Sequence, residues 1–211
     1  MITTATPTTA AAPSRSRLGR LAGPLLALGG LLWVLTFALI VVNGALTGTL
    51  PNQPDAVSPL ALRVGIRLFA LSVVVLGVGL WALAPRFAAR AKWPTRASLL
   101  LTSVAMAMTA VNLVTLSGLA GEPSYSDTLG GLSVFVTSLG ALLVGAGAAR
   151  TRGTNRGVTA ALLFVGLTTI PTLIMTPLPV GPDWATDFLA FLTSGAAFIA
   201  LGALVGAGRE G

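Results

Sequence analysis

Two arginines stand where a membrane helix would carry none. Arg63 and Arg67 lie four residues apart in the otherwise apolar run PLALRVGIRLFALSVVVLGVGLWALA, and residues at that spacing share a helix face. A charge within a bilayer is costly and is by default a sign of function. A guanidinium pairs bidentately with oxyanions, so the pair suits a carboxylate, a phosphate or a lipid headgroup. Polar residues that could complete such a site fall at the same level of other segments: Asn112, Asp127 and Asp187, with Asn43 and Thr176, while Glu122 and Asp183 lie further out. Two readings follow. The layer forms a small polar pocket with Arg67 at its floor, or an Arg–Asp pair pins the second segment to the fourth or sixth. Depth bears on both. The 17 residues from Leu68 to Ala84 span about 25 Å as a helix, nearly a bilayer core of roughly 30 Å. Arg67 is therefore at most a turn or so deep and within reach of the headgroups by snorkelling.

Other chemistry is thinly supplied. The chain has no Cys and no His, which removes thiolate catalysis, Cys or His metal sites, His-ligated haem and the side chain best suited to proton transfer near neutral pH. Thiol-dependent membrane oxidoreductases, b-type cytochromes and zinc-dependent intramembrane proteases are excluded. No acid falls in the middle of an apolar block, which argues against ion-coupled transport. No nucleophile has a base beside it. The chain reads as a non-enzyme with no cofactor. Thr102, Thr109 and Asn112 recur at helical spacing in the third block. Such a stripe either lines a polar path or bonds to helix backbone.

The elements that must position these residues are six apolar blocks, at about 21–42, 59–84, 97–119, 128–149, 158–176 and 188–208. Each is long enough, or nearly so, to cross a bilayer. With 54% hydrophobic and 9% charged residues, the chain lies far from the roughly 25% charged content of soluble domains. The fold class is all-α: a polytopic membrane bundle of six transmembrane helices, a single domain over 15–211. Residues 1–14 (MITTATPTTAAAPS) lack apolar periodicity and read as a disordered tail. The first block exceeds the 7–15 apolar residues of a signal peptide and has no convincing cleavage site, so it reads as a retained span.

Charge alternates from gap to gap. Eleven of the 13 Lys/Arg residues fall in the N-terminal tail, the second and fourth gaps and the C-terminus, and five of the 6 acids fall in the other three gaps. Lys and Arg are held on the cytoplasmic side, so both termini are expected there. The formal charge of +7 then reflects topology, and nucleic acid is not an expected partner. The expected partners are the lipid bilayer, an anionic lipid or small anion, and a second copy or another membrane protein.

Packing signals are weaker. Each outer gap combines proline with an acid, as in Pro54-Asp55, Pro123 with Asp127, and Pro182-Asp183; this reflects a triplicated hairpin or ordinary turn chemistry. Gly202 and Gly206, preceded by Ala196 and Ala200, and Ala141, Gly145 and Ala149 are small-residue stripes that predict tight packing of the fourth and sixth helices, within one chain or between two. Pro171 should kink the fifth. Trp33 reads as packing, and Trp81, Trp93 and Trp184 as interfacial anchors.

The opening LAGPLLALGGLLW, the basic second and fourth gaps and the loop PLPVGPDW resemble the small six-span integral membrane proteins of GC-rich bacteria. The resemblance implies a multi-pass protein of the bacterial cytoplasmic (plasma) membrane. It transfers no active residue.

Overall fold

A computed structural model describes residues 17–47, 59–88, 90–114, 126–151, 154–174 and 183–208. Among them are six α-helices and one 3-10 turn, with no strand: α1 (Arg17–Thr47), α2 (Pro59–Leu83), the turn Ala84–Phe87, α3 (Lys92–Val114), α4 (Ser126–Ala149), α5 (Arg156–Ile174) and α6 (Asp183–Ala207). Four of these helices contain stretches long and apolar enough to cross a membrane: Gly19–Leu39, Arg67–Phe87, Lys92–Val114 and Leu132–Ala149. Arg156–Leu167 and Leu192–Ala207 are shorter apolar stretches. The expected tail over 1–14 lies outside the described residues.

The outer surface fits a lipid solvent. On α1, Leu21, Leu28, Leu31, Leu35, Val42 and Leu46 are all exposed, a stripe at helical spacing that water would penalise. On α3, polar and small side chains turn inward. The buried face of α3 is Pro94, Thr95, Ser98, Thr102, Ala105, Thr109 and Asn112, while Leu100, Val104, Val111, Leu113 and Val114 are exposed. A soluble helix has the opposite arrangement.

The helices form a ring in which each packs on its sequence neighbours and α6 returns to α1, with a light contact of α2 with α4 across the middle. Neighbours run antiparallel. Gly23 meets Gly202 and Gly206, Gly30 meets Gly195, Gly147 meets Ala91, and Gly157 meets Leu204. These contacts bring the start of α1, α3 and α5 and the close of α2, α4 and α6 to one end. Arg20, Arg86, Arg90, Lys92, Arg96, Arg150 and Arg156 are all exposed there. The charge segregation expected for the basic residues is thus present in three dimensions.

Several boundaries differ from the sequence expectation. The third helix begins at Lys92, five residues before the expected Ala97, with Pro94 inside its first turn. Proline is tolerated there because the first N–H groups of a helix have no partner within it. Asn155 caps α5, accepting a 2.8 Å hydrogen bond from the Gly157 N–H, the usual bond from an N-cap side chain. The α5 helix continues through Pro171 to Ile174.

Candidate functional site

Of the polar residues anticipated from sequence, Arg67 and Asn112 have described side chains, and both stand on the halves of α2 and α3 away from the basic end. Arg67 is on α2 and exposed, and Asn112 is on α3 and 8% exposed. Arg63, Asp127 and Asp187 fall on α2, α4 and α6, but their side chains lie outside the described residues. So do Asn43, Glu122, Thr176 and Asp183. Among the described residues Arg67 makes no ion pair; every acidic side chain of the chain is outside them.

The hydroxyl stripe on α3 is spent on backbone. Thr102 donates to the Ser98 carbonyl at 2.8 Å, and Thr109 to Ala105 at 2.8 Å. On α4, Thr137 donates to Ser133 at 2.8 Å and Ser138 to Val134 at 2.9 Å. Thr36 does the same on α1, at 2.9 Å from the Leu32 carbonyl. These are bonds to the residue one turn back, the common way for Ser and Thr to be satisfied inside a helix. Two serines reach across instead. Ser72 of α2 donates to the Gly29 carbonyl of α1, and Ser98 of α3 to the Gly140 carbonyl of α4, both at 2.9 Å. Both acceptors are glycines, which have no side chain to screen the carbonyl from the neighbouring helix.

The small-residue contacts fall in part where the stripes put them, since Ala141, Gly145 and Gly202 are buried. Within the chain α4 packs on α3 and α5, and α6 on α5 and α1, with no extensive contact between α4 and α6 among the described residues. In the stripe on α6, Ala196 and Ala200 are exposed, and a β-carbon on Gly206 would touch nothing within 4 Å. The real seam is Gly23 and Gly30 of α1 against Gly202 and Gly195 of α6, a seven-residue repeat rather than a four-residue one. A β-carbon on Gly202 would stand 2.5 Å from the Ala27 nitrogen and 2.6 Å from the Gly23 carbonyl oxygen. A side chain would therefore have to separate two backbones.

The α1–α2 contact is reciprocal. Leu76 of α2 fills the space above Gly29, and Leu26 of α1 fills that above Gly79. Both leucines are fully buried. Trp33 stands at the centre of this half, with ring centroids 5.6 Å from Phe37, 5.8 Å from Phe69 and 6.4 Å from Phe198.

At the basic end, the joint between α2 and α3 is tied on three sides. Arg86 donates to the Gly19 carbonyl of α1 at 2.6 Å, and Trp81 Nε1 donates to the Leu99 carbonyl of α3 at 3.1 Å. Phe87, Ala91 and Pro94 pack on Gly147 of α4. Beside this joint opens a cavity of about 400 Å³ lined by Pro85, Ala88, Lys92, Thr95, Arg96 and Leu99. Sequence reasoning assigned these basic residues to topology alone. The available signal was Lys92 and Arg96 at a spacing of four, which a shared helix face implies only once Lys92 is known to be helical. No protein-family model matches the chain, and neither a curated protein nor a solved structure matches it.

Proposed function

We propose that the chain is a six-span protein of the bacterial cytoplasmic membrane, with both termini cytoplasmic, acting as a non-enzymatic accessory, sensor or interaction component. One observation carries this reading. The buried hydroxyls of Thr36, Ser72, Ser98, Thr102, Thr109, Thr137 and Ser138 are committed to the protein's own backbone, while large apolar side chains cover the outside. Such a bundle is a packed scaffold, and its working surface is the polar layer near Arg67.

The chain's lack of cysteine makes topology directly testable. Single Asn52→Cys and Ser124→Cys variants should react with a membrane-impermeant maleimide in intact cells, and Thr154→Cys only after permeabilisation. Labelling of Thr154→Cys from outside would overturn the orientation.

A second reading, a transporter or lipid- and anion-binding protein using Arg67, is favoured by the exposure of that side chain. Thermal stability in detergent, screened with acetate, inorganic phosphate and phosphatidylglycerol, separates the two. Ligand-dependent stabilisation that vanishes in Arg67→Gln establishes binding at Arg67. A variant merely less stable, with no ligand response in either form, leaves the scaffold reading in place.

A further inference from the structure

The cavity beside the α2–α3 joint combines features that neither the packing of the bundle nor the outer polar layer requires. Its lining is mostly apolar, with Pro85, Ala88 and Leu99, and two cationic side chains, Lys92 and Arg96, stand at its edge. Both cations are exposed and belong to consecutive turns of α3. They occupy the N-terminal turns of that helix, where the helix dipole is positive. Cations are disfavoured in that position, so the local potential is positive and not offset by the helix. The second sequence gap, from Pro85 to Arg96, contains no acid, and the acids other than Glu210 fall in the gaps assigned to the opposite end. An anion is the missing complement.

The surroundings narrow the class of anion. Trp81 at the close of α2 is 43% exposed and Trp93 at the opening of α3 is 74% exposed, as amphipathic rings are at a membrane–water boundary. Beyond Leu99 the outward surface of α3 continues through exposed Leu100 and Val104. A free inorganic anion would use only the cations. A phospholipid would use the whole surface, with its phosphate at Lys92 and Arg96 and an acyl chain along Leu99, Leu100 and Val104. The joint is also held in place. The Arg86–Gly19 hydrogen bond, the Trp81–Leu99 hydrogen bond and the packing on Gly147 hold the backbone that carries Lys92 and Arg96, so that binding has to order only their side chains.

We infer that this cavity is a binding site for an anionic phospholipid of the cytoplasmic leaflet, held by Lys92 and Arg96. The inference rests on the membrane orientation proposed above for the leaflet, and on the cavity itself for the ligand.

The test uses the full chain purified in detergent. Binding of phosphatidylglycerol is followed by native mass spectrometry and by the rise in melting temperature, with phosphatidylcholine and inorganic phosphate in parallel. The wild type should retain phosphatidylglycerol over phosphatidylcholine, and phosphate alone should give no shift. In Lys92→Gln/Arg96→Gln the apparent affinity should fall about fivefold per charge removed. Arg150→Gln/Arg156→Gln removes the same charge from the same end and should keep wild-type binding. Melting temperatures measured without lipid confirm that both double variants are folded; if the cavity variant fails to fold, Arg96→Lys and Lys92→Gln alone are measured in its place.

Equal loss in both double variants would reduce the effect to diffuse charge and overturn the site. Stabilisation by phosphate alone would assign the cations to a free anion, and loss in Arg67→Gln would move the lipid to the other end; each overturns the proposal. Because binding is read in detergent, it does not depend on orientation. Labelling of Arg90→Cys from outside would overturn the leaflet while leaving the lipid measurement to stand or fall by itself.

Discussion

The half built from α1, α2 and α6 and the half built from α3 and α4 solve the same problem with different groups. In the first, glycines bring backbones together and large side chains fill what remains: Gly202 against Gly23, Leu76 over Gly29, and Trp33 among Phe37, Phe69 and Phe198. In the second, the buried face of α3 is small and hydroxylated, and Gly140 of α4 lies against Thr102 and accepts from Ser98. Lipid is as apolar as leucine, so neither half gains by hiding oil from water. Stability comes from close approach and filled volume in the first half, and from modest hydrogen bonds in the second. The first half should therefore be the more sensitive to changes of shape and the second the more tolerant.

Thermal or denaturant unfolding in detergent measures that contrast. The largest effect should come from Trp33→Ala, which empties a fully buried site touching three phenylalanines and should cost about 3–5 kcal/mol. A loss below about 1 kcal/mol would mean that the aromatic cluster does not anchor this half. Gly202→Ala should come next, at about 1–3 kcal/mol, because its new methyl meets backbone rather than a movable side chain. Gly206→Ala, at a position with open space, should stay within about 0.5 kcal/mol. Equal penalties at these two glycines would remove the seven-residue seam.

Smaller effects belong to the hydroxyls. Ser72→Ala and Ser98→Ala each delete one hydrogen bond between helices and should each cost about 0.6 kcal/mol, the usual size of such bonds in membranes. The smallest change is expected for Thr109→Val, within about 0.5 kcal/mol, since its hydroxyl bonds only its own helix. A cost above that of Ser98→Ala would show that the α3 stripe does more than satisfy itself.

The helical class and the segregation of basic residues were legible in the sequence because both are local. A run of apolar residues fits the membrane by composition, and the Arg and Lys residues other than Arg63 and Arg67 fall in the tail, the gaps or the C-terminus regardless of which helix lies beside them. The start of α3 was misplaced for a local reason as well: Pro94 reads as a helix boundary unless it lies in the first turn. The cap at Asn155 did not stand out, because the fifth apolar block reads as opening only at Val158. The candidate site was less legible. Arg67 and Asn112 stood out as polar groups in apolar blocks, and their placement on α2 and α3 follows directly. The cavity at Lys92 and Arg96 did not stand out, because it exists only where the turn Ala84–Phe87 lies beside the opening of α3.

From residue order alone came an all-helical chain, six expected spans and a basic end; among the described residues, four helices contain stretches long and apolar enough to cross a membrane. Which small residues became contacts was settled in three dimensions, where Gly195 and Gly202 of α6 meet α1, Ala196 and Ala200 are exposed, and Gly206 offers α1 its backbone while its β-carbon direction stays open. In water, the contrast between apolar and polar faces fixes the rotation of a helix about its axis. A helix apolar on all sides loses that contrast. Its rotation and its partner are then set by the fit of one surface against another, which no single stretch of sequence contains.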